Sequence, residues 1–405
     1  MRSKKFHLQI AALMAILISF LAAQHAAAQT EITLYSFNGT SGYPLFGATI
    51  DSDGNLYGVS QSGAVWQLAP SRGAWTDNVL YNSAASGFNY SESIPTFDSK
   101  GDIYSATLYG GSAYRGTVIK LTPESDGSWS ETTLHTFSKD DGSAPDTQLV
   151  FDSAGNLYGT TLYGGAYNQG IVFKLTPQPD GTWTETIVHN FGKGSDGANP
   201  YGTLLLDSAG NIFGTTDGGG IYNSICEQTG GSCGIVFELS PTATGYTEKI
   251  LHNFGNGLDG ATPYAGLIFD SAGNLYGTTG YGGSHTWGTV FELIPQAGRR
   301  WKEKILHNCT GPPDGVEPLG GVNFDVAGNL YGTTFVGGGA NGIAFELMPQ
   351  SNGSWKEFIL HSFGNEPSDG ANPIGGLVFD GSGNLYGSAY AGGVYGAGTA
   401  FEIKH

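Results

Sequence analysis

The chain has 405 residues, of which 35 are acidic, 17 are Lys or Arg and 66 are Gly. A polyanion with a net charge of −18 is repelled by nucleic acid and by anionic lipid surfaces, so neither is an expected partner. Short runs rich in Val, Ile, Phe, Tyr and Thr alternate with Gly and Pro, and no segment shows a helical period. This pattern predicts an all-β protein.

Residues 1–28 have the organisation of a signal peptide. The basic start MRSKK precedes an apolar stretch, LQIAALMAILISFLAA, and an A-x-A cleavage pattern at Ala26-Ala27-Ala28. A membrane anchor is the competing interpretation, but no Cys follows the apolar run to accept lipid. We therefore expect a secreted or periplasmic protein with no membrane span after cleavage. Its 14 basic and 35 acidic residues would give a net charge of −21.

The motif D-x-x-G-[ND]-[LI]-[YF] recurs along the whole mature chain. Its first residues are Asp51, Asp98, Asp152, Asp207, Asp270, Asp325 and Asp380. The spacing is close to 55 residues in most steps, and the longest step contains Cys226 and Cys233. A period of this length indicates a repeat architecture rather than an ordinary globular fold.

Each repeat reads as four short strands, as in GLIFD at 266–270, NLYGTT at 274–279, GTVFELIP at 288–295 and WKEKILHN at 301–308. The last repeat stops after its third strand, while EITLYSF at 31–37 matches the fourth-strand pattern. A solenoid would leave both ends open, whereas this arrangement closes a ring and removes exposed edges. We therefore predict a seven-bladed β-propeller of antiparallel strands, with strand 31–37 completing the last blade.

The predicted domain is a single propeller over 29–405. Its approximate blades are 44–83, 91–138, 145–192, 200–255, 263–310, 318–364, and 373–405 plus 31–37.

The DSAGN segments are predicted to be tight turns between the first two strands. Asp would accept bonds from backbone amides, Gly would supply positive φ, and Asn tolerates that conformation. Only Asp51-Ser52-Asp53-Gly54-Asn55 resembles the start of a calcium loop, and it lacks the acidic residue that such a loop needs downstream. A weak calcium role is therefore the only cofactor hint, and no metal site is assigned.

Two segments, LYGTTLYGGAYNQGIVFKLTP (157–177) and LYGTTGYGGSHTWGTVFELIP (275–295), resemble the tandem repeat of the choice-of-anchor GloVer-containing proteins. The resemblance covers nearly all of the mature chain. It implies export and often a C-terminal surface anchor, although the C-terminal residues TAFEIKH show none. It implies no activity and no catalytic residue. The turn pattern also resembles, more distantly, the NHL and streptogramin-lyase-like propellers.

Variable loops are expected on one face of the ring. The loops between second and third strands and the links between blades share this face, which we call the link face. Function commonly resides on such loops. Candidate ligand contacts are Tyr109, Tyr163, Tyr281, Tyr390, Asp141, Asp196, Asp259, Asp314, Asp369 and His285. Aromatic rings beside carboxylates suit sugars. The competing interpretation is structural, since Asp-Gly is a common turn and Tyr in such a loop can pack across a blade junction.

Five His residues share one position in the fourth strand: His135, His189, His252, His307 and His361. Tyr35 and Tyr81 replace His in two other repeats, so we interpret the position as a packing position. Cys226 and Cys233 bracket EQTGGS, and in an oxidising compartment a local disulfide is expected. Cys309 stands where other repeats carry Phe and is expected to be a small buried residue.

The sequence favours a monomeric binding or interaction module, with an extracellular glycan or protein as ligand. The first alternative is a lyase or hydrolase acting on polysaccharide or a small lactone, with a metal at the channel mouth. His285 is its only His candidate in a link-face loop, and conventional catalytic motifs are absent from the sequence. The second alternative is a surface-structural protein without a ligand.

Overall fold

The computed structural model describes residues 31–39, 42–82, 93–221, 226, 233–298 and 300–404. The predicted signal peptide, most of the loop between Cys226 and Cys233, and the blade boundaries near residues 83–92 lie outside these residues. In the described part of the chain the strands form seven antiparallel sheets arranged as a ring, with no α-helix. The predicted seven-bladed β-propeller is confirmed.

Each blade has four strands, which we call a to d from the axis outward. In blade 1 strands a to d are Pro44–Ile50, Leu56–Ser60, Ala64–Ser71 and Ala74–Asn82, and in blade 2 they are Thr96–Phe97, Ile103–Thr107, Thr117–Pro123 and Trp129–Thr136. In blade 3 they are Val150–Phe151, Leu157–Tyr163, Ile171–Pro177 and Trp183–Asn190. In blade 4 they are Leu205–Leu206, Ile212–Thr216, Ile235–Thr242 and Gly245–Asn253. In blades 5–7 they are Ile268–Phe269, Leu275–Thr279, Thr289–Gln296 and Arg300–Asn308; Asn323–Phe324, Leu330–Thr334, Ile343–Pro349 and Trp355–Ser362; Val378–Phe379, Leu385–Ala389, Thr399–Ile403 and Glu31–Ser36.

The ring is closed by the strand nearest the N-terminus. Glu31–Ser36 pairs antiparallel with Thr399–Ile403, so blade 7 takes its outermost strand from the other end of the chain. Phe37 follows the closing strand, is fully buried and packs against Trp66 of blade 1. The closure therefore joins blade 7 both to its own last strand and to the next blade.

A column of aromatic side chains joins neighbouring blades. A Phe after strand d packs on an aromatic ring in strand c of the following blade, with ring centroids 4.9–5.2 Å apart. The pairs are Phe37–Trp66, Phe137–Phe173, Phe191–Phe237, Phe254–Phe291 and Phe363–Phe401. Cys309 takes the corresponding place after blade 5 and is 2% exposed, as the sequence predicts. The core is thus divided among the blade junctions.

The repeated turn between strands a and b is held by its aspartate. In blade 5, Asp270 Oδ1 accepts bonds from the amides of Ala272 and Asn274, both at 2.9 Å. Its Oδ2 accepts bonds from Asn274 Nδ2 at 2.7 Å and Tyr276 Oη at 3.1 Å. Gly273 has a φ of +83°, whereas Asn274 contributes by hydrogen bonding and not by a left-handed backbone. The stretch is scaffold.

In the segment that resembles a calcium loop, the equivalent aspartate, Asp51, accepts hydrogen bonds from its own turn. Asp51 accepts bonds from the amides of Asp53 and Asn55, from Asn55 Nδ2 and from Tyr57 Oη, at 2.8–2.9 Å. Its geometry therefore repeats that of the other turns.

Replacement of Asp270 by Ala is expected to destabilise the protein by about 2 kcal/mol, because four bonds to a carboxylate are lost and the Tyr276 hydroxyl loses a partner. Urea unfolding at pH 7 measures the change. Asp180→Ala is the matched control, since Asp180 bonds to Thr182 in an exposed turn between strands c and d. Equal losses for the two variants would contradict the special role of the a–b turn.

The links between blades contain a feature that the sequence does not predict. In blades 4–7 the link forms a two-residue ladder with the segment after strand b, for example Gly260–Ala261 with Tyr281–Gly282. Five links end in a proline, which we call the link proline: Pro145, Pro200, Pro263, Pro318 and Pro373. The residue before each link proline has a positive φ: Ala144, Asn199, Thr262, Glu317 and Asn372. The amide of Thr262 donates to Cys233 O and its carbonyl accepts from Gly280 N, so this residue ties adjacent blades together.

The predicted Cys226–Cys233 disulfide is present, and both residues are fully buried. Within the described residues, no helix is long and apolar enough to cross a membrane.

Candidate functional site: the axial cavity and the blade junctions

The chain directs one link segment from each blade toward the axis of the ring. Immediately after the link prolines, Tyr201, Tyr264, Leu319 and Ile374 reach the channel mouth, and Phe46 does so from blade 1. All five side chains are half-buried. Together they line a cavity of about 360 Å³ at the link face. This volume is within the range of small-molecule sites.

The cavity has chemically different walls. Tyr201 and Tyr264 make an edge-to-face pair with centroids 5.4 Å apart, and Phe46 approaches Tyr201 from across the channel at 6.5 Å. Blades 6 and 7 contribute Leu319 and Ile374. The polar wall comes from blades 3 and 4 and comprises Asp146, Thr147, Gln148 and Thr203. A ligand with an apolar face and a hydroxylated edge would match both sides.

Two carboxyl groups support the tyrosines at the rim. Burial raises the pKa of Asp217 to about 6, although its hydrogen bond from Tyr264 acts in the opposite direction. Burial likewise raises the pKa of Glu317, which accepts a bond from Tyr281. Each tyrosine hydroxyl is thereby anchored, and the ring beside it is held in place.

A second cavity of about 230 Å³ continues along the axis. The two cavities share a ring of lining residues, namely Ile94, Gln148, Thr203, Gly266, Gly321 and Gly376. At Gly375, a Cβ atom would lie only 2.2 Å from the backbone of Phe46 and Gly47, so a side chain has no room there. Glycine at this level keeps the strands of blades 1 and 7 in close contact.

The four predicted tyrosines have different positions. Tyr281 lines the axial cavity. Tyr390 packs on Tyr43 with centroids 5.7 Å apart, and its hydroxyl donates to Gln61 at 3.4 Å. Tyr109 and Tyr163 are about half exposed in outer loops, at 46% and 50%. His285 is exposed, with Nδ1 2.9 Å from Ser284 Oγ. Only Tyr281 therefore belongs to the cavity.

The predicted aspartates lie at the outer edge of the blade junctions. Asp196, Asp259, Asp314 and Asp369 are 5–8% exposed, whereas Asp141 is half-buried. In each of these four junctions the Asp contacts the strand-d His of the preceding blade, and a Glu of the following strand d completes the group. We call these groups the junction clusters: His189–Asp196–Glu248, His252–Asp259–Glu303, His307–Asp314–Glu357 and His361–Asp369–Glu31.

The second junction cluster shows the geometry. His252 Nε2 lies 3.0 Å from Asp259 Oδ2 and 3.7 Å from Glu303 Oε1. The other Asp259 oxygen accepts a 2.7 Å bond from the amide of Gly260. Four of the strand-d histidines, His135, His189, His252 and His361, also stack edge-to-face on the neighbouring Phe, as His252 does on Phe254 at 4.7 Å. The histidine therefore packs on its neighbour, as predicted, and in addition its Nε2 faces two carboxyl groups.

In the first three clusters the pKa of the Glu is raised and the pKa of the Asp is lowered. Burial, then the hydrogen bond and negative charge of Asp259, raise the pKa of Glu303 to about 9. Burial alone would also raise the pKa of Asp259, but bonds from His252 and Glu303 lower it below its usual value. The corresponding pKa of Glu248 is about 8 and that of Glu357 about 7, while the pKa of Asp314 is lowered to about 2. The raised pKa of the Glu and the lowered pKa of the Asp fit one proton held between the two carboxyl groups.

Tyrosine replaces histidine in two of the remaining junctions. Tyr81 donates to Glu131 of the next blade at 2.9 Å, and Tyr35 hydrogen-bonds Asp77. In the last junction His135 lies 3.4 Å from Asp141, while burial followed by the charge of Asp141 raises the pKa of Glu185 to about 7. In each of the seven junctions the His or Tyr at this position thus contacts an acidic side chain.

Apart from Tyr281, sequence reasoning missed the cavity residues, and it also missed the Glu members of the clusters. The residue after the link proline varies among Tyr, Leu, Ile and Asp, although the Pro itself is repeated. This variation could have indicated that the position faces a ligand rather than the repeated scaffold. Glu248, Glu303 and Glu357 recur at one position in strand d, but their partners come from the preceding repeat and only the ring brings them together.

These features define a seven-bladed β-propeller that is closed by a single strand and has a lined axial cavity. The Gloeobacter/Verrucomicrobia repeat model matches residues 58–226 and 221–405. The chain therefore belongs to the Gloeobacter/Verrucomicrobia repeat family, and the resemblance to the GloVer repeat is confirmed.

Three solved structures share the propeller fold at low sequence identity. YCF48, solved bound to a D1 peptide, has a TM-score of 0.52 at 12% identity, with 93% of this chain and 96% of that chain covered. PorZ, a surface component of the type-IX secretion system of Porphyromonas gingivalis, has a TM-score of 0.52 at 16% identity, over 91% of this chain and 48% of that chain. A putative 6-phosphogluconolactonase from Bacteroides fragilis NCTC 9343 has a TM-score of 0.50 at 14% identity, covering 88% and 90%. No curated protein sequence matches the chain.

Proposed function

We propose that the protein is an exported binding module that accepts one sugar unit of an extracellular glycan in its axial cavity. The observation that carries the proposal is the two-sided lining of the cavity, with Tyr201 and Tyr264 on one wall and Asp146, Thr147 and Gln148 on another. A pyranose presents apolar C–H groups on its ring faces and hydroxyls at its edge. Aromatic faces stack on the former, and carboxylate, hydroxyl and amide groups bond to the latter.

Two further features favour a binding role. The cavity is built from half-buried side chains on a closed ring, so its shape exists before the ligand arrives and little ordering is needed on binding. The buried Cys226–Cys233 disulfide fits a protein that works in an oxidising compartment outside the cytoplasm.

A peptide ligand is the second candidate. Phe46, Leu319 and Ile374 form an apolar wall that would take an aliphatic or aromatic side chain. An apolar side chain would leave Asp146, Thr147 and Gln148 of the polar wall without hydrogen-bond partners from the ligand, so we prefer the glycan.

The test is a glycan array with residues 29–405, run with and without calcium, followed by titration of the best sugar. Tyr201→Ala is expected to weaken binding at least about tenfold, because a stacking face of the cavity is lost. Tyr201→Phe retains the ring and should retain most of the affinity.

Tyr163→Ala is the matched control, since Tyr163 is exposed in an outer loop and does not line the cavity. Binding that survives in Tyr201→Ala but fails in Tyr163→Ala would move the site to the outer loops. An array without any bound sugar, together with a Tyr201-dependent hit in a peptide library, would establish the second candidate instead.

A further inference from the structure

The junction clusters hold three potential ligand atoms around one point. In the first three clusters the His Nε2 lies 3.0–3.3 Å from an Asp oxygen and 3.6–3.8 Å from Glu Oε1. Zn²⁺ bonds to imidazole and carboxylate at about 2.0–2.2 Å, so a tetrahedron of its ligands has edges of roughly 3.3–3.6 Å. The observed separations bracket that value.

The inner carboxylate oxygens point to a ligand that is not part of the chain. Glu248 Oε1 and Glu303 Oε1 are completely buried and accept no hydrogen bond, although each faces a His Nε2 and an Asp carboxylate. When the Glu is ionised, this oxygen has no partner except a proton or cation that joins it to the Asp carboxylate, and leaving it without one is costly. A cation at the centre of the cluster would satisfy it.

The aspartate is oriented as metal ligands commonly are. In the first two clusters one Asp oxygen faces the His, while the other accepts an amide bond from the following Gly, at 2.6 Å for Gly197 and 2.7 Å for Gly260. Such second contacts fix a ligating carboxylate in position. The His and Glu side chains remain 15–19% exposed, so an ion and a completing water have access from solvent.

We propose that the junction clusters are binding sites for divalent transition-metal ions of the zinc type, each ion linking two adjacent blades. Imidazole combined with carboxylates suits zinc better than calcium or magnesium, which prefer all-oxygen sites. The sites lie at the outer edge of the ring and are independent of the axial cavity and of what it binds.

Titration of EDTA-treated, dialysed protein with ZnCl₂ by calorimetry at pH 7.5 tests the proposal. The expected result is saturable binding of three to four equivalents, matching the clusters, with a rise in Tm. His252→Gln is expected to lose one equivalent. His285→Gln is the matched control, since His285 is exposed and belongs to no cluster, and it should lose none.

Glu303→Gln provides a second variant, because its amide has the shape of a protonated carboxyl and preserves the fold if a proton normally occupies the cluster. It should also lose one equivalent, and CoCl₂ should give a weaker d–d absorption than in the wild type. Absence of saturable binding would overturn the proposal. So would a stoichiometry that neither His252→Gln nor Glu303→Gln changes, because the ions would then be adventitious.

Discussion

Removal of residues 31–37 is expected to abolish cooperative folding or to lower Tm by more than 10 °C. Without Glu31–Ser36, Thr399–Ile403 becomes an open edge of the sheet. Without Phe37, a fully buried ring is missing beside Trp66, and loss of such a side chain alone costs about 3–5 kcal/mol. Circular dichroism melting and size-exclusion chromatography of residues 38–405 measure the effect, and aggregation through the open edge is expected.

Phe191→Ala is the comparison, since it removes an equivalent ring from the junction of blades 3 and 4 but leaves the ring of blades closed. It should melt cooperatively at a temperature between those of the wild type and the truncated protein. A synthetic peptide of residues 29–39, added in excess, should restore part of the lost stability. A truncated protein that melts within 2 °C of the full chain would show that closure by this strand is dispensable.

In metal-free buffer, the free energy of unfolding is expected to fall as pH rises from about 5 to 9. Glu303 and Glu248 have pKa values near 9 and 8 when folded, against a usual value of 4.5. Between these limits the folded protein holds protons that the unfolded chain has lost. The stabilisation that these two carboxyl groups contribute is therefore complete below about pH 4.5 and is lost as the pH rises through their folded pKa values. The full shifts would correspond to several kcal/mol, but water at the partly exposed Glu side chains screens the charges and reduces the expected loss to the order of 1–2 kcal/mol per cluster.

The variant Glu248→Gln/Glu303→Gln/Glu357→Gln should flatten this slope, because an amide needs no proton to sit beside the aspartate. Glu366→Gln, at an exposed position, is the control and should leave the slope unchanged. Urea unfolding at pH 5, 7 and 9 in the presence of EDTA measures both. A wild-type stability that rises from pH 5 to 9 in EDTA would contradict the expected proton sharing. Saturating ZnCl₂ should reverse the slope, since metal ligands bind in their deprotonated form.

The fold was predictable because the repeat supplied the same local evidence seven times. The Asp270 turn and the match of residues 31–37 to a fourth strand are local patterns, although the first strand, predicted over 266–270, extends only over Ile268–Phe269. The ladders between Gly260–Ala261 and Tyr281–Gly282 were missed because two-residue strands of glycine carry no periodicity. The left-handed residues before the link prolines were also missed, since their conformation is imposed by bonds to two different blades.

The candidate site was only partly predictable. Tyr281 was placed on the correct face and does line the cavity, but Tyr201 and Tyr264 follow a proline and look like ordinary loop residues in sequence. Nothing local distinguishes a side chain that turns toward the axis from one that turns outward. The assignment of Tyr109, Tyr163 and the aspartates as ligand contacts stays a prediction.

The clusters show the opposite difficulty. The sequence pattern indicates a packing role for His252 and a ligand contact for Asp259, and it gives no sign that the two side chains meet. They are seven positions apart in the sequence, and the bend between strand d and the link brings His252 Nε2 within 3.0 Å of Asp259 Oδ2. Glu303 comes from the next repeat, so only the closed ring reveals that the three groups share one junction.

The pairing of Glu31 with Ile403 has a consequence for how the protein is made. Glu31–Ser36 is synthesised more than 360 residues before its partner Thr399–Ile403, so a nascent chain that has not reached Thr399 leaves the edge of Glu31–Ser36 unpaired. Such intermediates are prone to aggregation and to attack by proteases. The ring can therefore close only after Thr399–Ile403 has been made, since a chain that ends before residue 399 has no partner for Glu31–Ser36.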